Sequence, residues 1–287
     1  MRIIAQLDEM TETARGWLAG GSVGFIPTMG HLHEGSIKLI EAARQECEIS
    51  VVSIFVNPLQ FIQGTEPVLT PGDVAHDLQL LELAQADVVF MPRAEDMYPP
   101  EFGTYIIPSG PVAKRLESFS NRIYVRGVAT LAVKLLQLVR PDVAYFMQKD
   151  ALLVALARQL VRDLNIDVGL RVLPTMRDAD GLAMSSYHHL LTPQERRATN
   201  FIYAALLAGK ALIDAGERRA SVIVKAMRDQ IASTPLLKLD YAAVCHPDLF
   251  TELDEVTPRA MLTIHAHIGD IHLTDNIVWL GGGHWLL

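Results

Sequence analysis

The sequence has few features of secreted, membrane-spanning or redox proteins. Among its 287 residues there are only two cysteines, Cys47 and Cys245, which form no CxxC pair and lie in apolar surroundings, so we expect buried, reduced thiols. No apolar run approaches the roughly 18 residues that a spanning helix needs. The first residues lack the long apolar core of a secretory signal. These absences predict a soluble cytoplasmic protein with no membrane partner.

Charge of one sign is not concentrated anywhere in the chain. The formal net charge is -8, from 25 Lys and Arg against 33 Asp and Glu, and the two signs are interspersed. Because no run of lysine or arginine indicates a polyanion-binding patch, a nucleic-acid partner is not expected. Half of the residues are hydrophobic, which is enough for the core of one large domain or two smaller ones.

Short apolar runs alternate with helical patterns over most of the chain. The runs, typical of strands buried on both faces, cover residues 23–26, 49–56, 86–91, 143–147 and 169–173. Apolar residues recur at helical spacing between them, over residues 36–46, 74–84, 128–138 and 151–164. This alternation predicts an α/β fold whose first domain, residues 1–174, has a Rossmann-like parallel sheet that binds ligands at the carboxyl ends of its strands.

The pattern changes after Pro174. Thr192 can cap a helix, Pro193 suits its first position and Glu195 can complete a capping box, so a helix is expected from there towards Gly216. A further helix is predicted at 221–232, and strands at 240–245, 261–267 and 271–279. We therefore predict a smaller C-terminal α+β lid domain over residues 175–287, with a hinge at 174–177. A flexible glycine tail is expected at 281–283, with the alternative that Trp285, Leu286 and Leu287 anchor it.

The segment most informative about chemistry is Pro27-Thr28-Met29-Gly30-His31-Leu32-His33-Glu34-Gly35-Ser36, which follows a predicted strand and opens a predicted helix. Helix N-termini favour phosphate because they present N–H groups without intrahelical partners and partial positive charge. A histidine in such a turn can donate to a phosphate oxygen and stabilise charge that develops on it. The alternative is a strand-to-helix turn whose glycines only provide tight geometry.

Three further segments place polar side chains where predicted strands end or where the predicted hinge lies. Residues 53–61 include Asn57 and Gln60 in an apolar context, and residues 145–150 include Lys149 and Asp150. Residues 174–186 end on the serine pair Ser185-Ser186.

In order and spacing, these four segments resemble those of the pantothenate synthetase (pantoate–β-alanine ligase) family. The resemblance extends over nearly the whole chain and includes Arg126-Gly127-Val128-Ala129-Thr130 and Thr274-Asp275-Asn276. Four ordered motifs are far more specific than a lone glycine pattern. The resemblance implies a homodimeric, AMP-forming ligase in which ATP, with magnesium, converts pantoate to pantoyl adenylate and pyrophosphate. β-Alanine then attacks the adenylate and releases AMP and pantothenate.

The resemblance also implies the site, residue by residue. The catalytic residues that it implies donate hydrogen bonds that stabilise the negative charge gained by the α-phosphate: His33, Lys149, Ser185 and Ser186. Its ATP-binding residues are Pro27, Thr28, Met29, Gly30, His33, Ser36, Lys149, Met184, Ser185 and Ser186. Its acid-binding residues are Met29, Asn57, Gln60, Asp150 and Leu153. Arg177 is left unassigned because a hinge arginine often makes only structural pairs.

Simpler interpretations of these residues remain open. Lys149 can form an ordinary ion pair with Asp150, and Asp150 can cap the following helix. The serines can merely start a turn, and Gln60 can be a loop amide that the backbone satisfies.

The ten histidines raise the question of a metal site. His265, His267 and His272 form one group, and His31 and His33 another. Because neither group has a carboxylate or cysteine at a familiar ligand spacing, we predict no dedicated transition-metal site. Magnesium is different, since it arrives with ATP and needs few protein ligands.

The chain departs from the family pattern within its motifs. Ser36 replaces a second histidine, Tyr187 an arginine and Met147 a glycine. Leu152 and Leu153 replace two glutamines, one of which normally helps to recognise the pantoate hydroxyls. A pocket that loses such an amide loses its preference for a hydroxylated ligand. We therefore hypothesise an acid that is bulkier or less hydroxylated than pantoate, and preferential binding of pantoate over its deoxygenated analogues would contradict this.

Two functions of other classes remain open. One is a ligand-binding relative that has lost catalysis, which the altered donors favour and the retained His33 and Lys149 oppose. The other is an acyl-transfer or condensing enzyme that takes an already activated acyl donor and uses no ATP. Within the ligase prediction, the small carboxylic acid and the small amine or amino acid stay undetermined.

Overall fold

The structure, a computed structural model, describes residues 1–17, 20–60, 71–185, 188, 191–269 and 271–287. The chain forms two compact units. The first consists of Met1–Phe146 and Leu156–Leu173, and the second of Met147–Ala155 and Pro174–Leu287. The segment Met147–Ala155, which the sequence analysis placed in the first domain, packs with the second unit. A lid movement of the second unit stays a prediction.

A six-stranded parallel sheet forms the centre of the first unit, with the strand order β1-β4-β3-β2-β5-β6. Its strands are β1 (Arg2–Ile4), β2 (Val23–Thr28), β3 (Ile49–Ile54), β4 (Val88–Phe90), β5 (Val143–Met147) and β6 (Gly169–Leu173). Thr28 of β2 lies opposite Ile54 of β3, and Phe25 of β2 lies opposite Ala144 of β5. The central strands are apolar along their length because helices cover both faces. The predicted fold class is thus confirmed.

Seven helices belong wholly or partly to this unit within the described residues: α1 (Leu7–Trp17), α2 (Glu34–Glu46), α3 (Pro71–Leu83), α4 (Ala94–Met97), α5 (Pro111–Phe119), α6 (Arg122–Val139) and α7 (Ala151–Asp163). Short 3-10 turns lie at Pro58–Gln60 and Gln148–Asp150. Helix α6 begins earlier than predicted because Asn121 caps it, accepting from Tyr124 N at 2.8 Å. Strand β1 was not predicted, since three residues give too short a pattern.

The second unit is a smaller α+β structure, which confirms that part of the fold prediction. Its antiparallel sheet has the order β10-β9-β8-β7, from β7 (Lys238–Cys245), β8 (Ala260–Ile268), β9 (Ile271–Gly281) and β10 (His284–Leu286). Helices α8 (Pro193–Ala198), α9 (Asn200–Asp214) and α10 (Ala220–Ile231) complete the unit. The core lies between these helices and one face of the sheet, where Leu206 and Ile223 pack with Leu262 and Ile264.

One prediction for this unit was wrong, and for the glycine tail the structure agrees with the alternative of an anchored segment. The helix capped by Thr192 does have the predicted capping box with Glu195, but it ends at Ala198 and a second helix begins at Asn200. The glycine tail is not a loose end: its three glycines all have positive φ, which suits the tight turn that returns β10 onto β9. Trp285 then donates to Asp214 at 3.0 Å.

Two predictions about composition can also be compared with the structure. Cys47 and Cys245 are buried and form no disulfide among the described residues, as expected. In the part of the chain that the structure describes, no helix has the length and apolar character needed to cross a membrane.

Candidate active site

Strand order in the first sheet reverses between β2 and β5. From β2 the chain continues to β3 and β4 on one side, and later to β5 and β6 on the other. In open α/β sheets, ligands bind outside the carboxyl ends of the strands at such a switch point. Strand β2 ends at Thr28, so the predicted phosphate-binding segment begins at this position.

The turn after β2 is tight and is held by a buried carboxylate. Gly30 and His31 have φ values of 88° and 50°, in the left-handed region where glycine costs least. Asp77 on α3 is fully buried and accepts from the backbone N–H groups of His31 and Leu32, both at 2.8 Å. The sequence analysis missed Asp77, although an aspartate within an apolar helical pattern was a visible signal for a buried polar role.

His33 is the N-cap of helix α2. Its Nδ1 accepts from Gly35 N at 3.1 Å, and Ser36 Oγ accepts from His33 N at 3.4 Å, which completes a capping box. Because Nδ1 acts as an acceptor, the ring proton resides on Nε2 and makes that nitrogen a donor. Ser36 is buried and its hydroxyl serves the cap. The structure therefore fixes the His33 ring at a helix N-terminus.

The remaining predicted nucleotide-binding residues of this segment end strand β2 or follow it. Pro27 and Thr28 are its last residues, and the half-buried Met29 comes next. Thr28 Oγ1 donates to Ser53 O at 2.7 Å, which ties the end of β2 to β3. The Thr28 hydroxyl thus has a structural partner, while its backbone leads into the turn.

The turn after β3 packs closely against helix α6 and is hydrogen-bonded to it. Asn57 is fully buried, donates from Nδ2 to Gly127 O at 3.0 Å and accepts from Leu59 N at 3.1 Å. A Cβ at Gly127 would lie 2.3 Å from Leu59 O, so only glycine permits this approach. Gln60 Oε1 is buried, and no donor among the described residues reaches it. The side-chain amide of Asn57 is thus used within the protein, whereas the side-chain oxygen of Gln60 is buried and accepts no hydrogen bond from a described residue.

In the second unit, Asn276 of β9 anchors the turn that carries Lys149. Asn276 Nδ2 donates to the carbonyl oxygens of Gln148 and Lys149, at 2.9 and 3.1 Å, and its Oδ1 accepts from Gln148 Nε2 at 2.7 Å. Lys149 Nζ lies 2.8 Å from Asp150 Oδ1, and only 18% of the lysine side chain is exposed. The Lys149–Asp150 ion pair, which the sequence analysis gave as the simpler interpretation of Lys149, is therefore present, although the lysine is mostly buried.

Arg177 makes the structural pair that its hinge position suggested. Its guanidinium donates to both oxygens of Asp275, at 2.6 and 3.0 Å, and to Gly181 O at 3.1 Å. It also lies 4.0 Å from the centre of the Tyr203 ring. Burial raises the pKa of the Asp275 carboxyl above its ordinary value, and the hydrogen bonds from Arg177 oppose that rise. The pair holds the segment that leads to Ser185.

That segment is a short hairpin. Arg177 and Ala183 form an antiparallel bridge, and Met184 N donates to Met176 O at 2.9 Å. Ser185 follows directly and is half-buried, whereas Ser186 lies outside the described residues. The half-buried Leu153 belongs to the first turn of α7.

The structure thus brings the predicted residues together in separate groups. His33 and Ser36 share one capping box, Asn57 and Gln60 share one turn, and Lys149 contacts Asp150. The first two groups belong to the first unit, and Lys149, Asp150, Leu153, Met184 and Ser185 belong to the second.

A parallel sheet with a histidine-capped helix at its switch point defines an α/β protein of the Rossmann-like, nucleotide-binding class. Residues 2–278 match the family model of pantoate-beta-alanine ligase, and the chain belongs to this family. The family resemblance that the four motifs carry is thereby confirmed.

Individual relatives match over nearly their whole lengths. The pantothenate synthetase of Chloroflexus aggregans is 44% identical over 273 residues, which are 94% of this chain and 97% of that protein. The crystal structure of pantothenate synthetase from Thermus thermophilus has a TM-score of 0.89 and 35% identity, covering 96% of this chain and 98% of that one. Pantoate-beta-alanine ligase from Francisella tularensis, solved with beta-gamma ATP and beta-alanine, has a TM-score of 0.78 and 29% identity, covering 99% and 100%.

Proposed function

We propose that this chain is an ATP-dependent ligase that joins pantoate to β-alanine through an acyl adenylate. The observation that carries the proposal is the histidine-capped N-terminus of α2 at the switch point, in a chain that matches the family model from residue 2 to residue 278. The relative from Francisella tularensis supports the same substrates, since it was solved with beta-gamma ATP and beta-alanine. None of these observations favours an inactive binding protein or an ATP-independent transferase.

In the first step, a carboxylate oxygen of pantoate attacks the α-phosphorus of ATP, and the bond to pyrophosphate breaks. Negative charge grows on the phosphate oxygens, so preorganised donors lower the barrier. His33 suits this role because its Nδ1 accepts a hydrogen bond from Gly35 N. The ring proton is therefore on Nε2, which makes Nε2 the donor. The N–H groups at the start of α2 add partial positive charge at the same place.

The family resemblance implies further phosphate donors, and these belong to the second unit. The Lys149 ammonium, on a turn that Asn276 holds at two carbonyl oxygens, would bind phosphate as a fixed positive charge. Ser185, and with it Ser186 and Met184, would complete the phosphate contacts. Magnesium would arrive with the nucleotide, and the Asp150 carboxylate, 2.8 Å from Lys149 Nζ, is the acidic group on this turn that suits it.

In the second step, the β-alanine nitrogen attacks the carbonyl carbon of the adenylate, AMP leaves with the bonding electrons, and the new amide loses a proton. Positioning of the acid is the task of the turn after β3. Gln60 Oε1, a buried acceptor with no donor among the described residues, would accept from a pantoate hydroxyl. Met29 and Asn57, in the same unit as Gln60, would contact the acid as well, and the family resemblance implies the same role for Leu153.

ATP–pyrophosphate exchange, measured with magnesium over a panel of carboxylic acids, tests the proposal. Exchange that depends on pantoate, together with AMP and pantothenate formation on addition of β-alanine, is the expected result. Exchange with a less hydroxylated acid and not with pantoate would keep the adenylation chemistry and replace the acid. Absence of exchange with every acid, from protein shown by circular dichroism to be folded, would overturn the proposal.

Gly127→Ala is expected to lower kcat/KM for pantoate by about 100-fold, because the new methyl group displaces the turn that carries Gln60 by close to 1 Å. The overpacking should also cost about 1–3 kcal/mol of unfolding free energy. Steady-state kinetics and urea unfolding measure the two effects.

The matched control is Gly16→Ala in helix α1, where an added Cβ meets nothing within 4 Å. This variant should keep wild-type kinetics and gain about 0.5–1 kcal/mol, the usual benefit of replacing glycine by alanine in a helix. Wild-type kinetics in Gly127→Ala would show that the contact with the turn does not position the acid.

We also propose a cytoplasmic homodimer. The buried, reduced cysteines suit a reducing compartment, and the family resemblance implies the dimer. Light scattering after gel filtration should give about twice the 31.7 kDa of one chain. A mass of one chain at micromolar concentration would contradict the dimer.

A further inference from the structure

Three potential metal ligands that have no part in the proposed ligase site converge on the sheet of the second unit. Asp240 of β7, His267 of β8 and His272 of β9 each offer one ligand atom, and these atoms all lie within 4.8 Å of one another. His267 Nδ1 is 2.7 Å from Asp240 Oδ1, and His272 Nδ1 is 3.8 Å from Asp240 Oδ2. The two imidazole centres are 5.6 Å apart.

The strand pairing explains why these residues meet. His267 and His272 are directly opposite in the antiparallel β8–β9 ladder, so their side chains project from the same face. The β7–β8 register shifts between Leu239 and Tyr241, which makes Asp240 an extra residue in β7. Such a bulge re-aims a side chain, and here it turns the carboxylate towards both imidazoles. The cluster therefore depends on a specific irregularity, which spacing along the sequence did not indicate.

We propose that Asp240, His267 and His272 form a binding site for a divalent transition-metal ion, with zinc as the preferred ion. Two imidazoles and a carboxylate form a ligand set of the kind that zinc takes in sites with three protein ligands, with one position left for water. Magnesium prefers oxygen ligands and would compete poorly. This inference is independent of the proposed ligase activity.

The distances fit an ion after small side-chain rotations. Ligands about 2.0–2.1 Å from a tetrahedral zinc ion lie about 3.3 Å from one another. The distances from His267 Nδ1 to Asp240 Oδ1 and from His272 Nδ1 to Asp240 Oδ2, 2.7 and 3.8 Å, fall on either side of that value, and the three ligand atoms lie within 4.8 Å of one another. His272 has room to move, since 64% of its side chain is exposed.

The hydrogen bond between Asp240 and His267 uses only one oxygen of the carboxylate. The pairing of β8 with β9 places His272 beside His267, and its Nδ1 lies 3.8 Å from the other oxygen. An ion bound there would join β7, β8 and β9, and so stabilise the second unit by an amount that grows with the logarithm of the free ion concentration above Kd.

Zinc binding to the full, tag-free chain tests the inference. After dialysis against a chelator, the protein is titrated with Zn²⁺ in competition with a chromophoric chelator, in the presence of excess Mg²⁺. We expect one ion per chain, and Co²⁺ should give the visible absorption of a low-coordinate site. Asp240→Asn, His267→Ala and His272→Ala should each weaken binding by about 100-fold or more, since even the outer hydrogen-bond partners of metal ligands are worth 10–100-fold.

His284→Ala is the matched control, because His284 is an exposed histidine on β10, in the same sheet. It should bind zinc like the wild type. A second readout is the thermal unfolding midpoint, which Zn²⁺ should raise in the wild type and in His284→Ala but not in Asp240→Asn. Equal affinity in the wild type and the three ligand variants, an equal loss in His284→Ala, or no zinc binding by the folded wild type would overturn the inference.

Discussion

Lys149→Met is expected to lower kcat and kcat/KM for ligation by about 10²–10³-fold, the usual cost of removing one donor that stabilises developing oxyanion charge. Methionine keeps most of the volume and the apolar stem of a side chain that is only 18% exposed, but it removes the ammonium. The turn itself should persist, because Asn276 holds it through the backbone carbonyl oxygens of Gln148 and Lys149. Kinetics with varied ATP and pantoate measure the effect.

Comparing the two half-reactions makes this test specific to adenylation. Lys149→Met should lose pyrophosphate exchange, yet it should still convert supplied pantoyl adenylate and β-alanine to pantothenate at near the wild-type rate. Lys225→Met, which removes an exposed lysine of α10, is the control and should leave both half-reactions unchanged. Equal loss of both half-reactions would indicate that Lys149 acts through structure and not on the phosphate.

The central strands could be predicted from the sequence because burial on both faces leaves a continuous apolar run. Strands β2, β3 and β5 all begin at the predicted residue: Val23, Ile49 and Val143. Edge elements lack this feature. Strand β1 has three residues and Ile3 is half exposed, and β10 depends on a turn of three glycines with positive φ.

The residues of the site could be predicted by type, but not the contacts that hold them. Asp77 binds the turn of His31 from 46 positions away, and Asn276 binds Gln148 from 128 positions away. Such contacts arise from tertiary packing and give no local pattern. The same reason applies to Asp240, whose carboxylate reaches His267 only because β7 has a bulge. The sequence motifs predict which residues contact ligands, whereas the contacts that support those residues became visible only in the fold.

Asp275→Leu is expected to lower the free energy of unfolding by about 3–5 kcal/mol, the usual cost of removing one partner of a buried ion pair. Asp275 and Arg177 side chains are only 1% and 11% exposed, so the variant leaves an arginine charge buried without its carboxylate. Urea unfolding, followed by far-ultraviolet circular dichroism, measures the loss. Asp229→Ala, which breaks an exposed ion pair with Lys225 on α10, should change stability by no more than about 0.5 kcal/mol.

The double variant Arg177→Met/Asp275→Leu should recover most of the lost stability. Burial raises the pKa of Asp275 in spite of the two hydrogen bonds from Arg177, which indicates that desolvation of the carboxylate outweighs the attraction between the partners. Replacing both charges with apolar side chains removes that cost, and methionine can still pack on the Tyr203 ring. A double variant no more stable than Asp275→Leu would contradict this account. It would show instead that the pair stabilises the unit through its hydrogen bonds, including that of Arg177 to Gly181.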